Sequence, residues 1–215
     1  MNNSNKILMF DNFLSEDLYS LMLKKFNNIE YEVISQYKEE KYSFYSDYKD
    51  ENFPTVDEVY LANFCSSNNI SNNLTIKNII KSIQSKVIEV YGSDDLVFRT
   101  QFNGYRNNAK DHLRVHFDDY NGKIGYVFYM LKNVWKYDWG GLLHYIDNGD
   151  IKTILPKANR LIINNHSEKI AHWVTPVNSW AKENRNTLVG FAISQTDEIP
   201  KSWSSDYIWN KDDKK

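Results

Sequence analysis

Leu113-Arg114-Val115-His116-Phe117-Asp118 has one reading as backbone and a second as chemistry. In an extended segment side chains alternate faces with period two, so His116 and Asp118 point one way and Phe117 the other. One strand then offers an imidazole nitrogen and a carboxylate oxygen to a single point. That is two thirds of a two-His-one-carboxylate triad, the ligand set that leaves open positions on Fe(II) for oxygen chemistry. H-x-D alone is common by chance, and the competing reading is a hydrogen-bonded surface pair. The weight of the tripeptide depends on a third ligand and an anchor downstream.

Around this run, short apolar stretches alternate with turn signals from Leu96 onward. They are Leu96 to Phe102, Leu113 to Phe117, Ile124 to Leu131, Gly141 to Ile146, Thr153 to Leu155, Arg160 to Ile163, Ala171 to Val174 and Thr187 to Ile193. A spacing of about ten residues, without helical period between the runs, predicts an antiparallel sandwich or barrel. Upstream, Ile7-Leu8-Met9-Phe10 predicts a short buried strand. Ser15 is the expected N-cap of a helix over Glu16 to Phe26, with Leu18, Leu21, Met22 and Phe26 on one face. Tyr31 to Ile34 suggests a strand within a Tyr- and charge-rich loop region, 30–65, broken at Pro54. Ser66 to Asn73 reads as a polar linker. From Thr75 to Tyr91, Ile76, Ile79, Ile80, Ile83, Val87 and Val90 recur at helical spacing, and Gly92 ends the helix. That face is expected to pack on a sheet. The polar tail after Ser194 carries Trp203, Tyr207 and Trp209, and either frays or folds back over a pocket.

The chain has 215 residues, which fits one domain: an N-terminal strand and helices over 1–95, a β core over about 96–194, and a tail over 195–215. A 15% aromatic content suits a core or pocket walled by large rings. The net charge of −2 with no basic block argues against a nucleic-acid partner. The one cysteine, Cys65, allows no internal disulfide and points to a reducing compartment. No apolar run is long enough for a membrane span, and the expectation is a cytoplasmic protein with no membrane partner.

The candidate third ligand is His172, 54 residues beyond Asp118, in Ala171-His172-Trp173-Val174-Thr175-Pro176-Val177. Its bland alternative is a satisfied strand histidine, and His166 is the rival ligand. Thirteen residues further comes Arg185, in Asn184-Arg185-Asn186-Thr187-Leu188. A guanidinium deep in a barrel needs an anion, and a bidentate carboxylate is a strong partner; the bland alternative is a surface salt bridge. His112 and His144 are expected to be structural or exposed, and Trp139 and Trp173 to pack in the core or rim. One of Asn164 and Asn165, at the end of an apolar strand, is a candidate polar contact in a pocket; the alternative is that they mark the strand's end.

These pieces resemble, in order, the Fe(II)/2-oxoglutarate-dependent dioxygenases, on their prolyl-4-hydroxylase-like branch. Leu113 to Asp118 resembles the first metal motif and Tyr126 to Leu131 the following core strand. Trp135-Lys136-Tyr137-Asp138-Trp139-Gly140-Gly141-Leu142-Leu143 resembles the W…GG-x-L turn, and Leu155-Pro156-Lys157-Ala158-Asn159-Arg160-Leu161 the approach to the distal strand. His172 to Val177 resembles the distal ligand motif, and Arg185-Asn186-Thr187-Leu188 the R-x-S/T-L anchor. The resemblance covers roughly Phe102 to Ile193. It implies a mainly β fold with flanking helices and a double-stranded β-helix (jelly-roll, cupin-like) core. It implies His116, Asp118 and His172 as iron ligands and Arg185 on the far carboxylate of 2-oxoglutarate, with Thr187 in the anchor motif.

It also suggests Tyr105 as a hydrogen-bond donor to the co-substrate. Met130 stands where some members place another tyrosine, which leaves Tyr126 or Tyr105 to serve. The cofactors implied are Fe(II), 2-oxoglutarate and O2, with ascorbate as a candidate reductant. The reaction implied is hydroxylation of an unactivated C–H, because Asp118 is present where halogenating relatives carry a small residue. The substrate implied is a prolyl or other side chain in a peptide, or a free amino acid or small metabolite. The alternatives are a non-catalytic, metal-binding cupin-like protein and a Zn-dependent hydrolase. Oligomeric state is not legible.

Overall fold

The computed structural model describes residues 7–26, 32–35, 63–66, 74–107, 109, 111–118, 122–165, 170–199 and 208–209. Strands dominate. The major sheet consists of β1 (Ile7–Phe10), β4 (Leu96–Tyr105), β6 (Ile124–Tyr129), β9 (Leu161–Asn165), β11 (Arg185–Ser194) and β12 (Ile208–Trp209). Its order is β1-β9-β6-β11-β4-β12. A minor sheet contains β5 (Leu113–His116), β7 (Leu143–Asp147), β8 (Asp150–Ile154) and β10 (His172–Val174), in the order β5-β10-β7-β8. A separate pair joins β2 (Glu32–Ser35) to β3 (Asn63–Ser66). Every pairing among the described residues is antiparallel. Consecutive strands β4, β5, β6 and β7 alternate between the two larger sheets, which is the winding of a double-stranded β-helix.

Both faces of the major sheet are covered, so its strands are apolar in both parities. One face packs on helices α1 (Glu16–Phe26) and α2 (Leu74–Tyr91), burying Met22, Ile79, Ile83 and Val87 against Phe98, Phe102, Phe128 and Leu188. The other faces the minor sheet through Tyr105, Tyr129, Ile162, Val174 and Val177. Helix α1 starts as its sequence dictates. The Leu18 amide donates to Ser15 Oγ at 3.4 Å, Glu16 and Asp17 occupy the positive first turn, and Lys24 and Lys25 the last. No helix among the described residues is long and apolar enough to cross a membrane.

Two departures from the sequence expectations have identifiable causes. Strand β8 begins at Asp150, ahead of the apolar run at Thr153. Asn148 and Gly149, both at positive φ (52° and 85°), form a two-residue hairpin turn between Asp147 and Asp150, and the mostly exposed β8 carries no apolar alternation to announce it. Strand β3 lies where a loop and the start of a linker are expected, and it pairs with β2 across a stretch of sequence no local pattern could bridge. The tail does fold back, since Ile208 and Trp209 pair with Arg99 and Phe98 on β4. Tyr31, Pro54, Trp203 and Tyr207 lie outside the described residues.

Candidate active site

The pairing of β5 with β10 sets His116 opposite His172, and β7 sets Tyr145 on the other side of His172. Asp118 follows two residues after His116, past the end of β5. The three side chains converge, each offering one ligand atom within 4.8 Å of the others. Asp118 Oδ2 lies 3.1 Å from His172 Nε2, and Asp118 Oδ1 lies 3.5 Å from His116 Nε2. The two imidazole rings sit 4.2 Å apart at 51°. His172 Nδ1 lies 3.0 Å from the Ile170 carbonyl. A carbonyl only accepts, so Nδ1 carries the hydrogen, and in the neutral ring Nε2 turns its lone pair toward the cluster. Burial disfavours a charged His172, but the Asp118 carboxylate and the Ile170 carbonyl outweigh it and hold the pKa above the ordinary imidazole value. Two imidazoles and one carboxylate meeting on one side of a point are a donor set for a divalent iron with open positions.

Arg185 opens β11 and is 2% exposed. Its guanidinium lies 5.0 Å from the ring centres of both Tyr105 and Tyr129. Nη2 donates to the Tyr129 hydroxyl at 3.2 Å, while Nε is buried with no hydrogen-bond partner among the described residues. Among the described residues no carboxylate forms an ion pair with it. A buried cation held between two rings, with a donor to spare, is a receptor for an anion. Burial pushes the Tyr105 hydroxyl up to about 12, so it stays protonated as a donor. Thr187, fully buried two residues along, faces the same way and donates to the Asn103 carbonyl at 3.3 Å.

The glycine pair of the 135–143 turn is explained by the arginine. Gly141 has φ +63°, and a Cβ there would come within 3.0 Å of Arg185 Cδ and Val177 Cγ2. At Gly140, φ is +69° and a Cβ would run into the Pro176 carbonyl. The turn must hug both segments for the guanidinium to pass beneath it.

Tyr126 is not where the sequence reading puts it. Residues 126 and 129 differ by three, so they lie on opposite faces of β6. The Tyr126 ring turns to the helix-facing core, over Gly190, where any Cβ would collide with it. Its hydroxyl shares a hydrogen bond with Thr100. The tyrosine beside Arg185 is Tyr129, one residue before Met130. With both faces of Tyr126-Val127-Phe128-Tyr129-Met130 buried, no polar alternation marked which tyrosine faced inward. Tyr105, paired directly with Arg185, does lie in the inner face.

The other expectations sort as follows. His144 stacks on Trp173 at 5.1 Å and 16°, and its Nδ1 lies 2.9 Å from the Thr153 hydroxyl. Trp139 is buried edge-on against Trp135. His166 lies outside the described residues. Asn164 lines a cavity between the sheets, together with Asp118 and His172. The stretch between Tyr105 and His116 is held by Arg106, whose Nε donates to buried Asp111 at 2.8 Å.

Residues 100–192 match the model of the 2OG-Fe(II) oxygenase superfamily. Comparison with curated proteins gives no match. Among solved structures, the fold is similar to a Pseudomonas putida prolyl-4-hydroxylase (15% identity, 89% of each chain, TM-score 0.58). It is also similar to a Trichoplax adhaerens prolyl hydroxylase in complex with a hypoxia-inducible-factor peptide fragment (14% identity, 89% of this chain and 85% of that, TM-score 0.61). A non-heme α-ketoglutarate-dependent epimerase of nogalamycin biosynthesis shares it as well (8% identity, 93% and 87%, TM-score 0.59). The winding of the two sheets, the His-Asp-His cluster between them and the family match agree: residues 100–192 are similar to the 2OG-Fe(II) oxygenase superfamily, enzymes that use Fe(II), 2-oxoglutarate and O2, and the chain has the fold of prolyl-4-hydroxylase-like members of that superfamily.

Proposed function

We propose that the protein hydroxylates an unactivated C–H of an amino-acid side chain, carried in a peptide or in a small free molecule. One observation supports this most: a converging His116, Asp118 and His172 on the minor sheet faces the same interior as a buried, anion-seeking Arg185 on the major sheet. In this reading His116, Asp118 and His172 hold the iron. The hydrogen bond to Ile170 fixes the His172 ring so that Nε2 is the ligand atom. Arg185, Tyr129 and Tyr105 hold the distal carboxylate of 2-oxoglutarate, with Thr187 beside them. When bound, iron, 2-oxoglutarate and O2 supply the oxidising chemistry, in which the co-substrate becomes succinate and CO2 and one oxygen atom enters the substrate C–H bond. The protein's part is to place the co-substrate between two fixed ends and to keep water from the apolar walls.

Succinate formation from 2-oxoglutarate with Fe(II) and ascorbate tests the assignment. The wild type is expected to turn over, His116→Ala to be inactive, and Arg185→Gln to need about tenfold or more 2-oxoglutarate, since a charge-assisted pair is lost. Iron binding without turnover on a broad panel would instead favour a non-catalytic binding protein. Activity restored by Zn and not Fe would favour a hydrolase.

A further inference from the structure

The cavity beside Asp118 and His172 has mostly apolar walls, among them Ile7, Val127, Leu143, Ile162 and Phe191. Asn164 and Tyr145 interrupt them. Asn164 stands on β9 between Ile7 of β1 and Gly125 of β6, with Gly125 in turn opposite Phe191 of β11. None of these three neighbours carries a polar side chain. The Asn164 Oδ1 is cut off from solvent and has no hydrogen-bond partner among the described residues. An unpaired buried carbonyl costs on the order of 1–3 kcal/mol, and a leucine at this place in the wall would avoid that cost. A polar atom left unpaired in an apolar chamber next to the metal-ligand cluster implies a partner that arrives with the ligand. 2-Oxoglutarate cannot be that partner for a carbonyl oxygen, because its carboxylates and keto oxygen only accept.

We infer that Asn164 determines substrate specificity: its side-chain carbonyl accepts a hydrogen bond from an N–H or O–H group of the substrate. The substrate class that follows is a small molecule with an apolar body and a donor close to the reacting carbon, such as an unblocked amino or imino acid. A prolyl residue inside a peptide fits less well, since its ring nitrogen is acylated and carries no hydrogen. The inference rests on the dioxygenase reading above and narrows it.

The test uses the full chain loaded with Ni(II) and 2-oxoglutarate, which holds the site without turnover. It is titrated by calorimetry with the twenty free L-amino acids and with the blocked peptide N-acetyl-Ala-Pro-Ala-amide. At least one free amino acid is expected to bind. Asn164→Leu should weaken it about tenfold or more, while 2-oxoglutarate affinity moves less than about twofold. The unliganded Asn164→Leu protein should also melt higher, by about 2–4 °C, because the unpaired amide is gone. Asn164→Val serves if the leucine is too long for the wall. Tight binding of the blocked peptide that Asn164→Leu leaves unchanged would overturn the inference, as would binding of neither probe set. So would loss of 2-oxoglutarate affinity in Asn164→Leu, which would mean that the amide faces the co-substrate with its N–H groups. Failure of the broader reading looks different: 2-oxoglutarate would not bind the Ni(II)-loaded wild type at all.

Discussion

Tyr126 and Tyr129 lie on one strand three residues apart, and the parity of a pleated chain sends them into different cores. Their hydroxyls are equally buried but do different work. Tyr129 accepts from the Arg185 guanidinium, whereas Tyr126 bonds Thr100 behind the sheet. Removing each oxygen separates the roles. Tyr129→Phe takes away a group that positions the arginine, so 2-oxoglutarate should bind about tenfold more weakly with the melting temperature little changed. Tyr126→Phe leaves the Thr100 hydroxyl unpaired in an apolar core, and should lower stability by about 1–3 kcal/mol with 2-oxoglutarate affinity intact. Fluorescence titration of the co-substrate and thermal melting of both variants decide it. If Tyr126→Phe weakened the co-substrate and Tyr129→Phe did not, the face assignment would be wrong.

At the scale of elements, the sequence was most legible where a pattern is both local and long. Helix α2 announced itself through apolar residues at helical spacing, and the structure places it at Leu74–Tyr91, one residue from its expected start. His116 and Asp118 were legible from their H-x-D spacing, although β5 ends at His116 and Asp118 joins the cluster from the segment after it. The pairing of β2 with β3 and the polar hairpin strand β8 were not, because their partners, not their composition, make them strands. The N-terminal connection was equally silent. Asn159, at φ 57°, bonds both the amide and the carbonyl of Leu14 through its side chain, and Asp11 bonds Lys157 and Arg160. These clamps tie β1 and α1 to the approach to β9, the strand that carries Asn164. The Arg160 hydrogen bond, opposed by burial and reinforced by Lys157, holds the Asp11 carboxyl well below the ordinary carboxylate range. A carboxyl whose folded pKa is depressed stabilises the fold above its unfolded value near 4, and that stability is lost as pH falls through the lower folded value. Asp11→Asn should therefore be less stable than wild type at pH 7 by no more than about 1 kcal/mol, because the pair is partly exposed. The difference should shrink steadily below about pH 4. Urea midpoints measured at pH 7, 4 and 2.5 would show this, and a difference that grew on acidification would contradict it.

For the whole molecule, the division of the site between two sheets has a thermodynamic consequence. The His-Asp-His cluster belongs to the minor sheet and the segment after β5, while Arg185, Tyr129, Tyr105 and Thr187 belong to the major sheet. In the proposed reading a metal alone would engage one layer, and 2-oxoglutarate alone the other. Only the two together would then span the interior, with the far carboxylate of the co-substrate held at Arg185. Each ligand should then bind more tightly in the presence of the other, and that coupling is reciprocal. Stabilisation follows by mass action: a ligand at about 100 times its Kd adds about 2.7 kcal/mol, which for a chain of this size raises the melting temperature by about 5–10 °C. Ni(II) alone and 2-oxoglutarate alone should each give a small shift, and the pair a shift clearly larger than their sum. In His116→Ala the excess over the sum should vanish, because the metal end of the bridge is missing. In Arg185→Gln it should fall while the shift from Ni(II) alone persists. Equal shifts from 2-oxoglutarate with and without metal would mean that the co-substrate does not bridge the sheets, and the placement of its two ends would have to be abandoned.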